Sequence, residues 1–326
     1  MSAAAPVAAT PPAPPGVCRA VVDVGTNSVK LLVAHVRGEE VTPRYERSEQ
    51  TRLGRGFYDD HRLRPDAIRH TAQAVARFVT RARELDAAAI RVIATSAVRD
   101  AVNAAELTGA MTAATGLPVE VISGEVEAAM AFRGVCTDAR LRGHPLLVMD
   151  LGGGSTEFIV GRDGVMSFSH SYRLGTVRLN ESLQPGDQPS PALLARCRAE
   201  LEAFLRDEVS PSLAPALDTA GREGLQFVAV GGTAAILARV ELGLSRYDRR
   251  AIEAAELSLA TVRHSTERMW SLPLSERRRV SGLPAERADI ILTGVAVFEA
   301  VMRAFGLAAV RPSLRGLRFA AVMDAA

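Results

Sequence analysis

Asp23-Val24-Gly25-Thr26-Asn27-Ser28 and Asp150-Leu151-Gly152-Gly153-Gly154-Ser155 are the two stretches that decide how this chain folds. Each follows an apolar, β-branched run and precedes another: Val29-Lys30-Leu31-Leu32-Val33-Ala34 leaves the first, and Glu157-Phe158-Ile159-Val160 leaves the second. Each therefore reads as a β-hairpin whose turn carries the polar groups. A shift of 127 residues lays Asp23 on Asp150, Gly25 on Gly152, Ser28 on Ser155 and Leu31-Leu32-Val33 on Phe158-Ile159-Val160. One unit occurring twice points to two related domains rather than a solenoid.

The segments around each hairpin support an α/β class. After the first, a turn at Arg37-Gly38 leads to a strand over 41–49. Pro65 then opens a helix with Ile68, Ala72, Val75, Val79 and Ala82 on one face. A strand (91–95), a helix (103–115), a strand (119–123) and a helix after Gly124 alternate as in an α/β layer. After the second hairpin, Arg162-Asp163-Gly164 turns into a further strand. A Pro-rich loop (184–191), a helix to about Asp207 and a strand, Phe227-Val228-Ala229-Val230, follow. That strand ends in Gly231-Gly232-Thr233 ahead of a helix. The remainder is mainly helical, with a short strand near Val310 and a last helix from Gly316. The boundaries expected are a disordered Ala/Pro-rich tail over 1–17, a first domain over 18–140, a second over 141–313, and a terminal helix at about 314–326 packing back on the first domain.

Composition narrows the class. A chain of 326 residues with 48% hydrophobic and 23% charged residues suits two globular domains. A net charge of +2 does not call for nucleic acid as a partner, although arginine is plentiful and lysine nearly absent apart from Lys30. Cys18, Cys136 and Cys197 are odd in number and lack CxxC spacing, which fits a reducing cytoplasm better than a disulfide framework or a zinc site. No segment approaches the roughly 20 apolar residues of a membrane span, and the N-terminal stretch lacks the basic and apolar regions of a signal peptide.

The turns suit phosphate. Glycine lets the backbone approach an anion and aim successive N–H groups into one concavity, and Ser and Thr add hydroxyl donors. Gly25, Thr26, Asn27 and Ser28 are the candidate phosphate donors of the first loop, and Gly152, Gly153, Gly154 and Ser155 those of the second. Gly231, Gly232 and Thr233 add a helix N-terminus with free N–H groups. A carboxylate at the head of each loop would repel phosphate unless a metal lay between, so Asp23 and Asp150 are read as direct or water-mediated partners of Mg²⁺, or of Mn²⁺ in its place. One Asp-x-Gly-x-x-Ser turn is weak evidence, but two facing copies form a clamp.

With these segments in hand, the sequence resembles the exopolyphosphatase and guanosine pentaphosphate phosphatase (Ppx/GppA) family, of the actin-like, sugar kinase and heat-shock ATPase fold class. Besides the three glycine elements, the resemblance rests on Thr51-Arg52-Leu53-Gly54, Ala94-Thr95-Ser96-Ala97-Val98-Arg99, Ser123-Gly124-Glu125-Val126-Glu127-Ala128, Thr156-Glu157 and Arg287-Ala288-Asp289. It implies two duplicated actin-like (ribonuclease H-like) domains around an interdomain cleft. It implies Glu127 as the general base for water, Arg99 on substrate phosphate, and Asp150 and Glu157 as holders of magnesium and of the attacking water. Arg52, Arg173, Arg178 and Arg287 are further candidates for lining an anionic groove. Glu125 and Glu127 leave a helix start in different directions, which favours one of them as base.

The implied activity is Mg²⁺-dependent release of orthophosphate from inorganic polyphosphate by a homodimer. Hydrolysis of guanosine pentaphosphate (pppGpp) is the alternative, and a catalytically weak polyphosphate or alarmone sensor is a third reading. A kinase of the same fold would need an adenosine pocket and a substrate-hydroxyl base, neither of which is recognised. Three departures stand out. Val126 replaces an acid. Gly316-Leu317-Arg318-Phe319-Ala320 lacks the acid and glycine expected after the arginine. The chain also stops where longer relatives continue, which implies a preference for short polyphosphates.

Overall fold

The computed structural model describes residues 16–325. The Val-rich run becomes β1 (Val17–Val24) and the next apolar run β2 (Ser28–Arg37), paired antiparallel with Asp23 opposite Lys30. Both are buried on two faces, as a central hairpin must be. Gly38, at φ +59°, supplies the tight turn into β3 (Glu40–Gln50). Helix α1 (Pro65–Glu84) buries Ile68, Ala72, Val75, Val79 and Ala82, the face expected from their spacing. It returns the chain to β4 (Ala89–Ala94), parallel to β1. The one-turn α2 (Ser96–Arg99) and α3 (Ala104–Thr115) lead to β5 (Val119–Val121), which ends early because Ser123 caps α4 (Gly124–Cys136). The strand order is β3-β2-β1-β4-β5.

The second sheet repeats this plan. β6 (Leu146–Leu151), β7 (Thr156–Arg162), β8 (Val165–Tyr172), β9 (Gln226–Val230), β10 (Leu257–Ser258) and β11 (Ala309–Pro312) lie in the order β10-β11-β9-β6-β7-β8. Read from β8, the succession β8-β7-β6-β9-β11 matches the first sheet strand for strand, with β10 added at the edge. The register repeats as well, since Asp150 faces Glu157 as Asp23 faces Lys30.

Helices α5 (Thr176–Leu183), α6 (Pro191–Phe204) and α7 (Ser210–Ala220) precede β9. The helix expected to stop near Asp207 instead runs on through a π turn over Leu205–Val209 into α7. Pro211 and Pro215 suggest a break, but Pro211 falls in the first turn of α7, and the widened turn before it accommodates a ring that an α-helical carbonyl would clash with. α8 (Gly232–Glu241), α9 (Arg249–Ala254), α10 (Leu259–Ser271), α11 (Leu274–Arg277) and α12 (Ile291–Ala304) complete the second layer before α13 (Leu317–Met323).

Two helices join the halves. α13 buries Leu317, Phe319, Ala320, Val322 and Met323 against Val21, Leu32, Ala34 and Ile93 of the first sheet. α4 places Ala128, Phe132 and Val135 against Val148, Ile159, Val228 and Val230 of the second sheet. Where the two helices meet, a Cβ on Gly134 would lie 2.3 Å from the Gly316 carbonyl oxygen, so the chain can cross there only at glycine. Burying Phe132 alone is worth about 2–3 kcal/mol, and it anchors the helix that carries Glu127. Of the expected N-terminal tail, residues 1–15 lie outside the described residues, and Val17 already belongs to β1. Among the described residues no helix is long and apolar enough to cross a membrane, and the three cysteines are free thiols.

Candidate active site

The two hairpin turns close in the same way. Gly25 N donates to Ser28 O at 3.1 Å, and Gly152 N donates to Ser155 O at 3.0 Å. They face each other across a small chamber of about 80 Å³. Gly25, Thr26, Asn27, Ser28, Gly152, Gly153, Gly154, Ser155, Gly231, Gly232 and Thr233 all line it, together with Asp23, Lys30, Asp150 and Glu127. The loops are in contact, and a Cβ on Gly154 would lie 2.5 Å from Ser96 Oγ and 3.1 Å from Thr26 Oγ1. Gly231 sits at φ +100°, and a Cβ there would lie 2.8 Å from Leu151 O and 3.3 Å from Asp150 Oδ1, so the turn into α8 passes directly over Asp150.

Some expected donors are already engaged. Asn27 Nδ2 donates to Gln50 Oε1 at 2.7 Å, which makes its amide a brace for the first loop. Thr26 O accepts from Gly54 N at 2.7 Å, tying the Thr51–Gly54 segment to that loop. Arg178 does not line the chamber. Its Nε donates to Gly154 O at 3.1 Å and its guanidinium lies 4.0 Å from the Tyr58 ring centroid, so it braces the second loop. Arg173 is exposed and does not line the chamber.

The carboxylates divide into two tiers. Asp23 and Asp150, at equivalent hairpin positions, line the chamber. Burial raises the Asp150 carboxyl to about 6; Lys30 opposes this, and Asp23 adds to it. Lys30 lies 3.9 Å from Asp23. Glu157 is 1% exposed and does not reach the chamber wall. It backs Asp150 across the hairpin and accepts from Ser171 Oγ at 2.7 Å, and burial followed by the Asp150 charge raises its carboxyl. Ser171 owes its place to cross-strand register, facing Glu157 from β8, a signal no local motif carries.

Glu127 opens onto the chamber from the first turn of α4, whereas Glu125 is exposed. Burial, then Glu157 and Asp150, raise the Glu127 carboxyl well above the usual carboxylate range, and Arg99 opposes them. Arg99 Nη1 donates to Glu127 Oε2 and to Ile122 O, both at 3.2 Å. Arg99 thus stands behind the expected base and is not among the chamber's lining residues. The guanidinium that does face the chamber, beside the Lys30 ammonium, is that of Arg287. Its Nη2 donates to Ser28 Oγ at 3.2 Å and lies against Gly232. It forms no ion pair among the described residues, and burial lowers its guanidinium to about 10.

A second cavity of about 410 Å³ adjoins the chamber, sharing Asp23, Lys30, Asp150, Gly231, Gly232 and Arg287 with it. Arg239 and Arg318 line it. Arg239 Nε is buried without a hydrogen-bond partner, whereas Arg318 pairs with Glu46 at 3.5 Å.

Paired hairpin loops on sheets of repeated strand order, closing on one polar chamber, define an actin-like two-domain α/β fold. The comparisons with known proteins agree. The model of the Ppx/GppA phosphatase family matches residues 32–325. Exopolyphosphatase 2 of Mycobacterium tuberculosis (strain CDC 1551 / Oshkosh) is 32% identical over 296 residues, covering 87% of this chain and 89% of that protein. Among solved structures, the Aquifex aeolicus member of the Ppx/GppA family aligns with a TM-score of 0.76 at 27% identity, over 94% of this chain and 97% of that one. An exopolyphosphatase-like protein aligns with a TM-score of 0.83 at 27% identity, over 94% and 98%. The chain belongs to the Ppx/GppA phosphatase family.

Proposed function

We propose that this protein hydrolyses the terminal phosphoanhydride of inorganic polyphosphate, with the terminal phosphoryl group in the small chamber and the following phosphates in the larger cavity. The observation that carries this reading is the pair of equivalent loops closing on a chamber of about 80 Å³, whose wall holds the hairpin carboxylates Asp23 and Asp150 and, from outside the hairpins, Glu127. Such a space holds a few waters' worth of volume, enough for one phosphoryl group. Backbone N–H groups of the two loops and of the α8 N-terminus hold its oxygens, and Arg287 supplies full positive charge. Phosphoryl transfer needs mainly in-line placement and charge neutralisation, so these groups do most of the work.

Glu127 accepts a proton from the attacking water as the new O–P bond forms. The anhydride O–P bond breaks, and its electron pair leaves with the shortened chain. A carboxyl whose proton affinity is raised by burial and by the neighbouring Glu157 and Asp150 carboxyls is, in its ionised form, a stronger base than an exposed glutamate. Arg99 holds the Glu127 carboxylate in place through Oε2. Asp23 and Asp150 fit Mg²⁺, since hard carboxylate oxygens are its ligands and it is usually bound through one or two of them plus phosphate oxygens and water. Among the described residues no three metal-ligating side chains converge, which suits that mode and not an all-protein cage. When bound, the ion would neutralise charge on the phosphates.

Hydrolysis of guanosine pentaphosphate is the second reading, favoured by Tyr247, Ile236 and Pro284 on the wall of the larger cavity, where a nucleoside could pack. Phosphate release with Mg²⁺ from tripolyphosphate, long-chain polyphosphate and guanosine pentaphosphate, by wild type and Glu127→Gln, tests both. Loss of about 100- to 10,000-fold in kcat is expected for the variant. Release from the nucleotide alone would replace the first reading by the second. Binding without turnover of any substrate would leave a sensor.

A further inference from the structure

The segment that presents Arg287 contains one 3₁₀ turn, Ala285–Arg287, and otherwise no regular structure. A side chain on such a loop is held only as well as the loop itself is tethered. The tethers here are two arginines that do not line the chamber.

From inside the second domain comes Arg277, at the end of α11 and 0% exposed. Its Nε donates to Ala288 O at 3.0 Å and its Nη1 to Leu272 O at 2.7 Å. Its Nη2 is buried without a hydrogen-bond partner, and it forms no ion pair among the described residues. A methionine or leucine would fill this volume without the cost of burying a charge. What the guanidinium adds is a fixed bond to the residue next to Arg287.

From the first domain comes Arg52. Its Nη1 donates to Asp289 Oδ2 at 2.6 Å and its Nη2 to Glu286 O at 3.1 Å. Its own backbone, at φ +51°, is bound to the first phosphate loop through Arg52 N to Asn27 O at 3.0 Å. A non-glycine residue in the left-handed region persists only where its surroundings require it.

We propose that Arg52 and Arg277 are positioning residues for the hydrolysis, holding the Pro284–Asp289 segment from opposite sides so that Arg287 stays on Ser28 and Gly232 and meets the terminal phosphate. This rests on the reading of the chamber as the phosphoryl site. It also ties Arg287 to closure of the cleft. If the domains part, both Arg52 contacts break together, so Arg287 is aligned only while the two loops face each other.

Double-mutant cycles on Mg²⁺-dependent tripolyphosphate hydrolysis test the assignment. Arg52→Ala and Arg277→Lys are each expected to lower kcat/KM about tenfold, the effect of a small displacement of a group that must be aligned. In an Arg287→Ala background the same substitutions should cost less than about twofold, because the group they align is gone. Any fall in thermal midpoint from Arg277→Lys should be equal in both backgrounds. A full loss in the Arg287→Ala background, or no loss in either, overturns the proposal. Arg52 is half exposed and its substitution leaves the core intact, so it carries the test alone if Arg277→Lys does not fold. Absence of hydrolysis by the wild type overturns the phosphoryl reading as well. Normal hydrolysis with independent effects overturns only the positioning roles.

Discussion

Replacing Asp150 by asparagine should make the metal-free protein more stable above neutral pH while abolishing its activity. Burial and the neighbouring Asp23 raise the Asp150 carboxyl from 3.8 to about 6, against the pull of Lys30. A rise of about 2 units corresponds to about 3 kcal/mol that the folded state gives up when this group is ionised. The folded protein binds this proton more tightly than the unfolded chain. Below about pH 4 the group is protonated in both states and no penalty exists; the penalty grows as pH rises and is complete above about pH 6. Asparagine has nearly the same shape and no charge, so the variant should gain about 2–3 kcal/mol at pH 8 and little toward pH 4. For a chain of this size that is a rise in thermal midpoint on the order of 5 °C. Thermal denaturation in a chelator at pH 8 and pH 4.5 measures it. Mg²⁺ should then raise the wild-type midpoint at pH 8 more than that of the variant, because it neutralises the charge that asparagine removes. A lower midpoint for Asp150→Asn at pH 8, or a gain of equal size at both pH values, would refute the reasoning.

Three further outcomes are expected. The acid limb of the pH–rate profile reports protonation of Glu127. Because Arg99 favours the ionised form, Arg99→Gln should move that limb to higher pH, and an unmoved limb would remove Arg99 from this role. Gly175→Ala places a Cβ 2.3 Å from Gly153 O, against backbone that cannot move aside cheaply. It should destabilise by about 1–3 kcal/mol and weaken phosphate binding, as seen in denaturation and KM. Lys30 is the only lysine of the chain, so pyridoxal phosphate followed by borohydride should label it, with loss of activity, and polyphosphate should protect it. Peptide mapping that finds modification at the α-amino group alone would refute this.

Much of the fold was legible because its signals are local. The hairpins, the buried face of α1 and the glycine turn ahead of α8 need only apolar runs, helical spacing and turn residues, and each stands where it was expected. The continuation from α6 into α7 was not legible, because two prolines inside a run normally end it, whereas the π turn accommodates Pro211 and Pro215 is carried inside α7. Asn27, predicted as a phosphate donor, lines the chamber while its amide is also bonded to Gln50, and Arg178, predicted for the groove, braces Gly154. Both pairings join residues more than 20 positions apart, where type and spacing carry no information on partners.

By itself the sequence determined that this protein contains one strand–turn–strand unit twice, each headed by an aspartate and suited to phosphate. Repetition and the chemistry of a four-residue turn are properties of neighbouring residues. The tertiary structure alone decided which copy does what. Burial raises the carboxyls of Asp150, Glu157 and Glu127, strand register sets Ser171 against Glu157, and Arg99 stands behind Glu127 while Arg287 faces Ser28. Desolvation and pairing across the cleft depend on which distant segments exclude water together, and no local pattern encodes that.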